Sequence, residues 1–156
     1  MKKILIGIGE SKFAEHATEY GFELAHKLQA EVGLIHVIEP AVGVPMGPVD
    51  STMGMSYDNT MDIVTPELMN IEQEVSKKVL QKFADKYGDD FKVTRFTEYG
   101  DTADAILECS KQFGADMIVL GTHSRTGIDR FIMGSVAEHV VRHSDVPVLV
   151  VPTKEG

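Results

Sequence analysis

MIVLGTHSRTGIDRFIMGSV, residues 117–136, passes from an apolar run into a segment holding three glycines, two arginines and a histidine, and then into a helical pattern beginning Val136-Ala137-Glu138. Met117-Ile118-Val119-Leu120 carries no polar alternation. That is how a strand reads when both faces of its sheet are covered. The unit is therefore strand, glycine-rich tip, helix.

The same unit recurs on the N-terminal side. Ile4-Leu5-Ile6-Gly7-Ile8 is another continuous apolar run, and residues 12–28 then change period, with Phe13, Ala17, Tyr20, Leu24 and Leu28 as the expected buried stripe of a helix. Val32 to Ile38 predicts a second strand, ended by Pro40. Thr65-Pro66-Glu67 supplies a cap, a first-turn proline and a first-turn acid, so a helix is expected to run to about Lys86 with Leu68, Ile71, Val75, Val79 and Phe83 inward. Phe91 to Tyr99 reads as a strand, but Lys92, Thr94, Arg95 and Thr97 make it polar enough for a sheet edge. Asp101 can cap a third helix containing Ala103, Ile106, Leu107 and Phe113, and Val146 to Val151 predicts the last strand. Strands alternating with helices imply right-handed βαβ crossovers: an α/β fold with one mostly parallel, open five-stranded sheet and helices on both faces. Such sheets bind ligands beyond the carboxyl ends of their strands, where strand order reverses. The tips at Ile8-Gly9 and Leu120-Gly121 would flank that crevice if the first and fourth strands are neighbours.

The bulk properties fit one domain spanning residues 1–156. The chain is 43% hydrophobic and 25% charged, and no apolar stretch reaches the ~20 residues that cross a bilayer, so no membrane role is expected. MKKILIGIGES is too short in apolar residues for a secretion signal, and the single cysteine, Cys109, cannot form an intrachain disulfide, which together favour a reducing cytoplasmic setting. A net charge of −9 with no basic cluster argues against nucleic-acid binding. From about 41 to 64 the chain is rich in Gly, Pro, Asp and Ser and carries Met46, Met53, Met55 and Met61, the composition of a long loop, read either as a soft apolar lid or as a disordered insertion.

Physically, the quoted segment suits an anion. Gly134 and Ser135 open a helix whose first N–H groups lack intrahelical partners and sit at the positive end of its dipole. Gly121 and Gly127 allow close backbone approach and unusual torsions, Arg125 offers a guanidinium, and His123 a further polar contact. An alternative needs no ligand: Ser135 with Glu138 forms a capping box, and the glycines merely turn the chain.

The segment resembles the nucleotide-binding signature of the universal stress protein family, in which a glycine is followed after two residues by a second glycine, and after nine more by glycine and serine or threonine. Here Gly121, Ser124 and Gly134-Ser135 occupy those positions. The resemblance extends to His36-Val37-Ile38-Glu39-Pro40, Gly100-Asp101 and Pro147-Val148-Leu149-Val150-Val151. It implies strand order 3-2-1-4-5 and ATP, AMP or ADP as a regulatory ligand, with magnesium as an optional companion. The implied site takes Gly7, Ile8, Gly9 and Val37 for base and ribose, and Gly121, Thr122, His123, Ser124, Arg125, Gly127, Gly134, Ser135 and Val136 for the phosphates. It also implies a homodimer through Val148, Leu149, Val150 and Val151, an edge strand apolar at every position and so in need of cover.

Two positions depart from the pattern. The family's nucleotide binders carry an aspartate at the end of the first strand, where this chain has Gly9, and Ser124 replaces the second signature glycine. Weakened binding with looser base selectivity is the expectation. A decayed site, leaving a stress-response interaction module of the same fold, is the rival reading. A slow nucleotide hydrolase or nucleotidyl-transfer enzyme is the third; it would need magnesium and a catalytic acid, and the segment offers only Asp129, with no Gly-Lys-Ser or Gly-Lys-Thr. His139 and His143, one turn apart, lack an evident third metal ligand and read as a solvated helix face. His36 reads as a hydrogen-bonded, semi-buried residue.

Overall fold

A computed structural model describes residues 2–9, 12–40, 66–89, 91–122 and 133–152. The apolar runs form strands β1 (Lys3–Gly7), β2 (Glu31–Ile38), β3 (Val93–Tyr99), β4 (Met117–Gly121) and β5 (Val148–Val151). Between them lie helices α1 (Lys12–Leu28), α2 (Pro66–Tyr87), α3 (Thr102–Phe113) and α4 (Ser135–His143). All four strand pairings are parallel, in the order β3-β2-β1-β4-β5, so β1 and β4 are neighbours.

Because side chains alternate across a strand, β1 feeds two cores at once. Ile4 and Ile6, with Ile8 just beyond, pack with Ala17, Phe22, Ala25, Leu80 and Phe83 of α1 and α2. Leu5 packs oppositely with Ile106, Phe113, Ala137 and Val140 of α3 and α4. Ile4, Leu5 and Ile6 have no exposed surface, which fixes the register: a slip by one residue would exchange the two sets. At the far end of the sheet the Asp116 carboxylate accepts hydrogen bonds from the Lys2 and Lys3 amides at 2.6 and 3.0 Å, which hold its carboxyl below the usual carboxylate range.

Both long helices bury a different stripe from the one their larger apolar residues suggest. On α1 the inward residues are Ala14, Ala17, Thr18, Gly21, Phe22 and Ala25, while Tyr20 and Leu28 are exposed. Small residues win because the helix lies tight on the sheet: a Cβ at Gly21 would stand 2.6 Å from Ile6 Cδ1. On α2 the buried residues are Ser76, Leu80 and Phe83, whereas Leu68, Ile71 and Val75 are exposed. The first turns of α2 lie at the carboxyl end of the sheet, where the Tyr99 hydroxyl of β3 donates to the Met69 carbonyl at 3.2 Å.

The polar strand β3 is an edge, as its composition requires, and β5 is the other. Asp101 caps α3 by accepting from the Asp104 amide at 3.0 Å, and Gly114, with φ +69°, closes that helix in the left-handed conformation. The long Met-rich segment lies outside the described residues.

Candidate functional site

Beyond the carboxyl ends of β2, β1 and β4 lies a cleft of about 450 Å3. That volume is in the range of small-ligand sites. Its floor is Gly7 at the end of β1, Ile8 and Gly9 just beyond, and Gly121 and Thr122 at the tip of β4; Val37 and Ile38 of β2 close one side, and Val136 and Ala137 of α4 the other. Ile71 and Val75 form a wall from α2, so the apolar residues of that helix that miss the core face the cleft instead. Seven of the expected positions, Gly7, Ile8, Gly9, Val37, Gly121, Thr122 and Val136, therefore come together. Gly134 and Ser135 stand at the start of α4 beside them. His123, Ser124, Arg125 and Gly127 fall outside the described residues.

The start of α4 bears on the capping-box reading of its sequence. Gly134 is the capping residue and has no side chain to offer, and Ser135 is already the first residue of the helix. Glu138 pairs with Arg142 at 2.8 Å and Gly134 is the capping residue, so the alternative Ser135–Glu138 capping box does not form. The first intrahelical bond runs from the Glu138 amide to the Gly134 carbonyl at 2.9 Å. The amides of Ser135, Val136 and Ala137 thus precede the helical ladder, and Val136 and Ala137 border the cleft. Such a helix end attracts anions.

The glycines contribute differently from the sequence expectation. Gly121 is an ordinary strand residue paired with Val151, and among the described glycines only Gly100 and Gly114 have positive φ. Gly121 is therefore compatible with close approach but is not demanded by torsion. Gly9 likewise has no unusual φ, and a Cβ placed there would meet only Ala14 Cβ at 3.6 Å, an ordinary contact.

Sequence reasoning missed the carboxylates of the cleft, Glu39 and Glu72, and their neighbour Thr102. Glu39 follows the second strand, so the rule that ligands sit beyond strand ends could have found it. Glu72 had no such signal, because the stripe expected for α2 was misplaced. His36 is 4% exposed, borders the cleft, and shares a hydrogen bond between Nδ1 and Ser76 Oγ at 2.9 Å; Ser76 Oγ in turn meets Thr97 Oγ1 at 2.9 Å. This chain gives buried Ser76 its partners and pins α2 to β2 and β3. His139 pairs with Asp104 at 3.2 Å and His143 Nδ1 lies 2.8 Å from the His139 carbonyl oxygen; no group of three metal-ligating side chains occurs among the described residues. Burial, reinforced by the charge of Glu98, pushes the Cys109 thiol up to about 12, so it packs as a small hydrophobe.

Known proteins agree with this architecture. The pattern of the universal stress protein family matches residues 1–152. Universal stress protein MJ0531 of Methanocaldococcus jannaschii is 34% identical over 99% of this chain and 85% of its own length. The solved structure of MJ0577 from the same archaeon, 28% identical, superposes with a TM-score of 0.75 over 99% of this chain and 98% of that one. A universal stress protein solved in complex with cAMP shares the fold at 19% identity, with a TM-score of 0.69 over 98% of each chain. One from Archaeoglobus fulgidus in complex with dAMP does so at 16% identity, with a TM-score of 0.61 over 96% of this chain and 97% of that one. On the whole-chain match and the shared strand order, the chain belongs to the universal stress protein family.

Proposed function

We propose that this universal stress protein binds an adenine nucleotide, ATP or its mono- or diphosphate, as a regulatory ligand in the cleft between β1 and β4. The observation that carries the reading is the start of α4, where amides with neither a helical bond nor a side-chain cap among the described residues border a cleft with an apolar wall. Phosphates belong at those amides, and a base against Ile71, Val75 and Val37. The cAMP and dAMP complexes of relatives with this fold support that ligand class.

The reading is tested on protein freed of nucleic acid. An excess of absorbance at 260 nm, with an adenine nucleotide identified by mass after denaturation, is expected, and the absence of tryptophan makes it easy to see. Protein that carries none, and takes up none when supplied with millimolar ATP, ADP or AMP, would refute it. The rival, an interaction module without nucleotide, is favoured by one observation: Gly9 places no carboxylate at the tip of β1.

The same reading includes a homodimer through the β5 edge. Pro147 and Val151 carbonyls accept from the Ile118 and Thr122 amides, so by the alternation of a parallel ladder Val148 and Val150 point their backbone groups away from β4. Light scattering at micromolar concentration is expected to give twice the chain mass, and Val150→Pro, which removes one outward donor and spares the β4 ladder, to give the monomer. A monomeric wild type excludes the dimer.

A further inference from the structure

We infer that Glu39, held by Thr102, is the acceptor for the sugar hydroxyls of the bound nucleotide and makes the cleft select ribonucleotides over deoxyribonucleotides. This rests on the nucleotide reading of the cleft.

The sheet order sets the layout. With phosphates at the β4 tip and the start of α4, a ligand crossing β1 toward β2 passes two strand spacings, roughly 10 Å in all, a span that carries a nucleotide from its phosphate past the sugar to the base. Glu39 stands at the β2 side of the cleft. Gly7 pairs with Ile35, and by alternation Val37 faces the same side as Ile35, the side covered by α3 and α4, while Glu39, one residue past β2, is brought there by its side-chain bond. Thr102, the first residue of α3, lies there and donates to Glu39 Oε1 at 2.5 Å.

Glu39 is exposed, yet it is not a free surface acid. The Gly100 amide donates to the Ile38 carbonyl at 3.1 Å, Gly100 takes φ +122°, and Asp101 caps the helix that presents Thr102. A turn, a cap and a side-chain bond thus converge on one carboxylate and fix where it stands. A preorganised acceptor loses little entropy on binding. A carboxylate has room for several donors, so Oε1 bound to Thr102 still leaves acceptor capacity for an adjacent pair of hydroxyls. In dinucleotide-binding doubly wound folds an acid about 20 residues past the glycine turn takes the ribose hydroxyl, and Glu39 offers the same chemistry here. Glu72, the other cleft carboxylate, comes from a mid-helix position of α2 and has no comparable tether among its described contacts.

The experiment is calorimetric titration of wild type, Glu39→Gln and Thr102→Val with AMP and dAMP. The wild type is expected to prefer AMP by about tenfold. Glu39→Gln should weaken AMP about tenfold, leave dAMP nearly unchanged and so bring the ratio close to one; Thr102→Val should fall between. Equal binding of AMP and dAMP by the wild type, or a ratio that survives Glu39→Gln, overturns the role of Glu39 and leaves the nucleotide site standing. A wild type that binds neither overturns the nucleotide reading, and this inference with it.

Discussion

Val136→Asp is expected to abolish nucleotide binding without unfolding the protein. Val136 is the second residue of α4, half-buried, and borders the cleft next to the amides that open the helix. An acid in the first turn suits the helix dipole, worth about 0.3–1 kcal/mol, which partly offsets the lost packing of a half-buried isopropyl group. Its carboxylate would occupy the anion position itself. Like charges brought together in this way cost several kcal/mol, hence a loss of affinity of about a hundredfold or more. Titration with ATP at fixed ionic strength measures this, with Val136→Asn as the neutral comparison. Wild-type affinity in the aspartate variant would show that phosphates do not bind at α4.

The opposite change is expected from Gly9→Asp. The backbone there has no positive φ, and the new Cβ meets only Ala14 at 3.6 Å, so a carboxylate can be added at the tip of β1 without strain. A hydrogen bond to a charged group contributes about 1.5–3 kcal/mol, which corresponds to roughly ten- to hundredfold tighter binding. The added negative charge works against this, and Gly9 borders the same cleft as Val136, so the gain is expected toward the lower end of that range. The variant also separates the two readings of the wild type. If the natural protein binds weakly and the variant strongly, the cleft is intact and merely short of one acceptor; if neither binds, the cradle itself has lost its role.

The fold was legible because its signals are cumulative. Ile4 to Ile8, Val32 to Ile38 and Met117 to Leu120 each read as doubly covered strands, and burial on both faces is what makes such runs continuous. The polarity of Lys92 to Thr97 marked β3 as an edge for the same reason in reverse. The stripe of α3 was legible at Ala103, Ile106 and Phe113, but those of α1 and α2 only at Ala17 and Phe83, since periodicity favours large residues where the sheet also selects small ones: Ala14, Gly21 and Ala25 on α1 and Ser76 on α2. That error concealed part of the site. Once Ile71 and Val75 are assigned to the core, nothing remains to suggest a wall over the cleft or to draw attention to Glu72. The start of α4 carried an alternative that spacing alone could not remove. Ser135 and Glu138 have the spacing of a capping box, but the chain enters the helix one residue earlier, at Gly134, and the pair is split.

Strand β1 ends its fully enclosed stretch at Ile6, one residue before the cleft floor begins at Gly7. Backbone at that depth opens only with the whole molecule, so the floor has almost no freedom to reshape itself around a guest. The first turns of α2 are anchored instead through Ser76, Leu80 and Phe83 further along the helix and carry the cleft-facing Ile71 and Val75 in solvent. Accommodation of differently shaped guests therefore falls to that helix, and sequence divergence there can retune what the protein senses at little thermodynamic cost to the scaffold.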